Sequence, residues 1–112
     1  VKPCPYYKEY KMKLLTKAII NKATRQFPKG TDMEQMVVAK YFHPFSSWTW
    51  YLMNMEDKNG TYCWGIVDGN AVEVGSFSMS ELKEIYIHGL GIERDRHFEP
   101  IKANKLWKEL NK

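Results

Sequence analysis

The sequence predicts an α+β domain: an antiparallel meander sheet of four to five strands, packed on one face by an N-terminal helix and by a helix near 79–87. Three observations support this fold class. β-Branched and aromatic residues dominate the middle of the chain, an Asn59-Gly60 pair separates two such runs, and Ser78 and Glu81 have capping-box spacing. The length of 112 residues falls within the usual size of one domain with one hydrophobic core.

The N-terminal helix follows a different kind of segment. Residues 1–11 contain two prolines and show neither helical nor strand periodicity, so we expect an extended arm or upstream extension there. A single α+β domain is then expected over residues 12–112. Thr16 is placed to cap the N-terminal helix, and Pro28 is placed to end it.

Four strands are expected next. MVVAKYFHP is rich in β-branched and aromatic residues, SWTWYLMNM and TYCWGIVDG flank the Asn59-Gly60 pair, and AVEVGSF alternates after a further turn. An Asn-Gly pair suits the positive φ angles of a tight hairpin turn. The two flanking strands are therefore predicted to be neighbours.

The aromatic stretch FHPFSSWTWY, residues 42–51, covers the end of one strand, a turn and the start of the next strand. Alternation places Trp48 and Trp50 on one face and Tyr51 on the other. Because large rings stabilise a small domain by being buried, we expect both tryptophans in the core and Tyr51 as an exposed contact. His43, beside a proline, is interpreted as a turn residue and is kept with Tyr51 among the candidate binding residues.

The C-terminal third begins with the capping box, and Gly89 is placed to end the helix that follows it. The segment LGIERDRHFEP is expected to be extended as far as Pro100. IKANKLWKELNK then forms a short amphipathic segment.

The charged run IERDRHF supplies the candidates for chemistry. In an extended chain, Glu93, Asp95 and His97 share one side, and Arg94 and Arg96 share the other. Two carboxylates and a histidine can perform acid–base catalysis, although neighbouring opposite charges more often form ion pairs. The first three are therefore the catalytic candidates, and the two arginines are candidate binding residues.

Known catalytic signatures are missing from the sequence. There is no glycine-rich phosphate loop, nucleophile elbow, paired CxxC or HExxH motif, so we expect no cofactor and no metal site. A non-enzymatic role is favoured, and an enzyme stays open as an alternative. No apolar run has the length of a membrane span and no export signal is present, so we expect a cytoplasmic location without a membrane partner. Cys4 and Cys63 are accordingly expected to be reduced thiols.

The positive charge is concentrated at one end of the chain. Residues 1–30 carry eight basic side chains and one acidic one, whereas the rest of the chain carries nine basic and twelve acidic side chains. A basic helix face is usually a solvated surface, but it also attracts phosphates. The candidates for nucleic-acid binding are Lys13, Lys17, Lys22 and Arg25.

Several motifs resemble a known family. MKLLTK, AKYFHPFSSWTWY, WGIVDG, VGSFSMSEL and GLGIERDRHFEP occur in this order between residues 12 and 100. They are similar to short bacterial proteins catalogued as domain of unknown function 2958, which accompany plasmids, phages and conjugative elements. The resemblance implies a start near Met12 and a mobile-element origin, and it implies no mechanism. The chain departs from the family pattern at Cys63 and Trp64, where phenylalanines are usual, and in a longer tail.

Three functions remain open. The favoured one is a non-enzymatic binding or interaction module of a mobile genetic element, which contacts a protein through a groove between the sheet and its helices. The alternative is a nucleic-acid-binding accessory protein that uses the basic N-terminal quarter and exposed aromatic rings. The second alternative is an enzyme that uses the Glu93, Asp95 and His97 cluster. A protein partner is preferred because Lys40 is the only basic residue between residues 30 and 57, where the aromatic rings are concentrated.

Overall fold

Nine strands and three helices make up the computed structural model, which describes residues 13–112. The strands are β1 (Met36–Val37), β2 (Ala39–Phe42), β3 (Thr49–Met55), β4 (Cys63–Asp68), β5 (Val72–Phe77), β6 (Tyr86–Ile87), β7 (Leu90–Gly91), β8 (Glu93–Arg94) and β9 (Ile101–Lys102). The helices are α1 (Lys17–Gln26), α2 (Met79–Leu82) and α3 (Ala103–Leu110), and a 3-10 turn at Phe27–Lys29 follows α1. The segment expected to be an arm, residues 1–11, lies outside the described residues.

The central sheet has the strand order β5-β4-β3-β2-β8, and every neighbouring pair in it is antiparallel. Strands β2 to β5 form the expected meander, and β8 joins its edge. Two short pairs, β1–β9 and β6–β7, stand beside this sheet. The predicted fold class, a mixed α+β domain with an antiparallel sheet, is confirmed.

Both predicted helix starts are present. The Thr16 hydroxyl accepts a hydrogen bond from the Ile19 N–H at 3.2 Å, and the Ser78 hydroxyl accepts one from the Glu81 N–H at 3.3 Å. The second helix is shorter than expected, because the chain enters the β6–β7 hairpin soon after Leu82. His88 and Gly89, with φ angles of 52° and 80°, form the turn of that hairpin. The glycine therefore serves a strand turn and does not end a helix.

The hairpin between β3 and β4 also differs from its predicted form. Gly60 has a φ angle of 65°, but Asn59 has no positive φ angle. The prediction of a tight two-residue turn is therefore wrong. The Gly60 N–H instead donates to the Asp57 carbonyl at 3.1 Å, and the Asn59 N–H donates to the Asp57 carboxylate at 2.9 Å. The loop is thus a wider turn that the Asp57 side chain stabilises.

Two hydrophobic cores lie on opposite faces of the sheet. Helices α1 and α2 pack on one face, as expected, and contribute Ile19, Ala23, Met79 and Leu82 to the first core. Helix α3 packs on the other face and contributes Ala103 and Leu106 to the second core. The sheet is therefore covered on both faces. The expectation of a single hydrophobic core is wrong, because the amphipathic C-terminal segment forms α3 and packs on the second face.

A bulge in β3 distributes its side chains between these cores. The register with β4 shifts between Leu52 and Asn54, so that Met53 has no direct partner. Leu52 and Met55 consequently both belong to the first core, and Tyr51 and Met53 belong to the second. Strict alternation along this strand is broken at the bulge.

The expected positions of the aromatic rings are partly wrong. Tyr51 is only 6% exposed, because it belongs to the second core. Trp48 was expected in the core but is 38% exposed, while Trp50 is partly buried against the first core.

Within the described part of the chain, no helix has both the length and the apolar character needed to cross a membrane.

Candidate binding groove

An open groove of about 490 Å³ runs beside helix α1. This volume lies within the usual range of ligand pockets. Basic and amide side chains of α1 and of the turn after it form one wall, and apolar side chains form the rest. The lining residues are Lys22, Arg25, Gln26, Lys29, Met36, Val38 and Pro100.

The position of the basic wall follows from how α1 packs. Ile19 and Ala23 are buried in the first core and fix the inward face of the helix. Lys22 and Arg25 are three positions apart in α1 and so share a face of the helix. Lys29, in the 3-10 turn after α1, lines the same groove. All three side chains are exposed. The wall therefore presents three cations to the groove.

Gln26 fixes this wall against the sheet. Its side-chain amide donates to the Met36 carbonyl at 2.9 Å and to the Met53 carbonyl at 2.8 Å, and its oxygen accepts from the Met36 N–H at 3.1 Å. One side chain thus pairs with the backbone of two strands. Because its hydrogen-bonding groups are engaged there, Gln26 positions the groove and leaves ligand recognition to the cations.

The charges of the wall are not neutralised by the groove itself. Residues 13–31 contain no Asp or Glu. The two ion pairs within the described part of the chain, Lys40–Asp95 and Lys102–Glu34, lie elsewhere. Between residues 13 and 112, Lys22, Arg25 and Lys29 therefore have no carboxylate partner, and the groove attracts anions.

The four candidates for nucleic-acid binding are only partly brought together. Lys13, Lys17, Lys22 and Arg25 are all exposed. Lys22 and Arg25 line the groove, whereas Lys13 and Lys17 are not among the residues that form it. The backbone carbonyl of Lys13 accepts a hydrogen bond from the Arg94 side chain at 3.1 Å.

The three catalytic candidates do not form a cluster. Asp95 accepts a hydrogen bond from the backbone N–H of His97 at 2.9 Å, and its other oxygen lies 3.9 Å from the Lys40 ammonium group. No hydrogen bond or ion pair joins the side chains of Glu93, Asp95 and His97 within residues 13–112. Nor does any group of three potential metal ligands occur in that range. A catalytic role for these three residues stays a prediction.

The four candidate binding residues lie in different environments. The Arg94 side chain donates a hydrogen bond to the Lys13 carbonyl, and Arg96 is exposed. Tyr51 lies beside the Phe98 ring, with ring centroids 6.2 Å apart, and burial raises the pKa of its hydroxyl. His43 is only 2% exposed. Whether any of these four residues binds a ligand stays a prediction.

Both ring nitrogens of His43 are occupied. Its Nδ1 accepts the Phe45 N–H at 3.0 Å, so its Nε2 must be the donor to the Leu90 carbonyl, at 2.7 Å. The ring thereby joins the loop before β3 to the β6–β7 hairpin. This is the structural turn role expected for His43.

Cys63 has the properties of a core residue. It carries a free thiol, which is buried and donates to the Gly60 carbonyl at 3.3 Å. Burial raises the pKa of this thiol to about 11, so it stays protonated near neutral pH. Cys4 lies outside the described residues.

Most of the groove was not found by sequence reasoning, because five of its seven lining residues were not among the candidates. Lys22 and Arg25 were candidates because their spacing places them on one face of the predicted helix. Lys29 was not a candidate, because it follows Pro28, where that helix was expected to end. Met36 and Pro100 could not be predicted, because they come together only after β1 has paired with β9 from the other end of the chain.

Comparisons with known proteins give one positive finding. No curated protein and no solved structure matches the chain significantly. A family described as protein of unknown function matches residues 9–112, which is nearly the whole chain and includes helix α3. The chain therefore belongs to this family of proteins of unknown function, DUF2958.

Proposed function

We propose that this protein is a non-enzymatic binding module that holds a partner protein in the groove beside α1. The observation that carries the proposal is the combination of three cations, which have no carboxylate partner among residues 13–112, with an apolar floor of Met36, Val38 and Pro100. The cytoplasm of a bacterium that carries a plasmid, phage or conjugative element is the proposed setting, because the sequence motifs resemble proteins of such elements.

The groove has the composition of a recognition surface. Met36, Val38 and Pro100 offer apolar area to a partner side chain, and burying such area favours association. The cations of the wall select the sign of the partner's charge and speed the encounter. Neither contribution requires a reacting group.

Nucleic-acid binding is the alternative that the basic wall also supports. Phosphates need only cations, so charge alone does not separate the two functions. Among residues 13–112, the exposed rings that would stack bases are Phe45, Trp48, Tyr62 and Tyr86, and none of them lines the groove. This separation of rings from cations favours the protein partner.

Affinity purification with matched charge-reversal variants tests the proposal. The tagged wild-type chain is compared with a Lys22→Glu, Arg25→Glu variant and with a Lys105→Glu, Lys108→Glu control. The control replaces two exposed lysines of helix α3 that are three positions apart, as Lys22 and Arg25 are. Both variants therefore change the net charge of the protein by the same amount. Circular dichroism first establishes that all three chains are folded.

The expected result is a protein that quantitative mass spectrometry detects with the wild-type chain and the α3 control and that is lost from the groove variant. The proposal is wrong if the groove variant retains every protein partner of the wild type.

A further inference from the structure

Besides its positive charge, the groove has an apolar floor. Its floor is made by Met36, Val38 and Pro100, and Val38 is nearly buried beneath it. An apolar floor stabilises a ligand only if the ligand places an apolar group on it. A ligand that contacts the cations alone would leave this floor in water.

The dimensions of the basic wall limit the length of the ligand. Lys22 lies in α1 and Lys29 seven positions later at the end of the 3-10 turn. With a rise of about 1.5 Å per residue in the α-helix and about 2 Å in the 3-10 turn, the two positions are roughly 12 Å apart along the axis. An extended peptide advances about 3.3 Å per residue, so a segment of roughly four residues spans the wall. Two or three carboxylates within such a segment can each reach a cation.

From these features we infer that the groove binds an acidic peptide segment with an apolar anchor side chain, an inference that rests on the proposed function. The anchor packs on Met36, Val38 and Pro100. The flanking Asp or Glu side chains pair with Lys22, Arg25 and Lys29, of which Arg25 can bind a carboxylate in a bidentate manner. Gln26 holds the wall at a fixed distance from the floor, so both contacts form together.

A nucleic acid fits the same groove less well. Its phosphates would pair with the wall, but its backbone offers no apolar group to the floor. Base stacking requires aromatic rings, and the groove is lined by none. The two ligand classes therefore make different predictions for one experiment.

The experiment is a selection from a display library of random peptides about 12 residues long, with the full chain as the bait. Dissociation constants are then measured by fluorescence anisotropy for a selected synthetic peptide and for an oligothymidylate of about 20 nucleotides. Each ligand is titrated with the wild type, the Lys22→Glu, Arg25→Glu variant and the Lys105→Glu, Lys108→Glu control.

The expected peptides contain at least two Asp or Glu residues around one large apolar residue. We expect the groove variant to lose roughly tenfold or more in affinity and the α3 control to stay within about twofold. Replacing the apolar anchor of the peptide by Ser should also cost roughly tenfold. High salt should weaken binding, because exposed charges are screened.

The inference is overturned if no peptide is enriched, if the selected peptides lack acidic residues, or if the groove variant binds them as well as the wild type. Tighter binding of the oligothymidylate that depends on Lys22 and Arg25 would overturn it in favour of nucleic acid. If purification recovers a groove-dependent partner protein while the selected peptides are not acidic, only this inference fails and the proposed function stands.

Discussion

Gly65 and Gly75 lie directly opposite each other on β4 and β5. A Cβ atom at Gly65 would collide with the Tyr51 carbonyl oxygen and would come within 2.9 Å of the Phe77 ring, whereas a Cβ atom at Gly75 would meet nothing within 4 Å. The obstacle at Gly65 is backbone of the neighbouring strand, which cannot turn aside as a flexible side chain can. The two glycines therefore have different roles in spite of their symmetric placement.

Replacing each glycine by alanine tests this difference. Gly65→Ala should lower the free energy of unfolding by about 3 kcal/mol or more, because the sheet must shift to admit the methyl group. Gly75→Ala should be neutral or stabilise the protein by about 0.5 kcal/mol, because alanine restricts the unfolded chain. Urea unfolding of both variants measures the two changes, and equal values would contradict the close approach at Gly65.

Because the Cys63 thiol is buried, we expect the free energy of unfolding to change with pH in the alkaline range. Burial raises its pKa from 9.0 to about 11, so the folded chain holds the thiol proton more tightly than the unfolded chain does. The free energy of unfolding should therefore fall as the pH rises from 9 to 11, by up to about 2 kcal/mol. Urea unfolding at several pH values measures this change.

A Cys63→Ala variant is the control for this effect. Burial also raises the pKa of Tyr41, which is present in both chains and interacts electrostatically with Cys63. The difference between the two chains therefore reports the thiol together with its interaction with Tyr41. The stability difference between wild type and variant should shrink as the pH rises through this interval. A difference that is independent of pH would show that the thiol is not desolvated.

Among the larger elements, α1 packs on the sheet through Ile19 and Ala23 and is hydrogen-bonded to the strands through the side chain of Gln26. Gln26→Ala would remove three hydrogen bonds to the Met36 and Met53 backbone. We expect a loss of about 2 kcal/mol in the free energy of unfolding, because partly buried backbone groups lose their partners. Thr24→Ala is the control, because its hydroxyl bonds only to carbonyls of its own helix, and should change stability by less than about 0.5 kcal/mol. Similar small effects for both variants would show that Gln26 does not attach the helix.

Local signals predicted the elements well where one interpretation was possible. The Thr16 and Ser78 caps and the strands around the Asn59-Gly60 pair are all present, because caps and strand propensity act within a few residues. Gly89 was assigned to the wrong element, since a glycine with positive φ serves a helix end and a hairpin turn equally well. The bulge in β3 had no local signal, and it depends on packing against both cores.

The features that the sequence did not predict depend on pairing between strands that lie far apart in the chain. Asp95 lies near Lys40 and not in an ion pair with its sequence neighbours Arg94 and Arg96, because β8 pairs with β2. The groove likewise needs Pro100 to meet Met36, which follows only from the pairing of β9 with β1. The sequence therefore identified the basic helix and could not identify the floor beside it.

The central claim is that the partner protein lies in the groove beside α1. Site-specific photo-crosslinking in cells tests it most directly, with a photoreactive phenylalanine derivative at position 29 on the groove wall or at position 105 on helix α3. Lys29 and Lys105 are both exposed, so either replacement leaves the cores intact. We predict a covalent adduct with a partner protein from position 29 and none from position 105. An adduct from position 105 alone, or equal adducts from both positions, would contradict the claim.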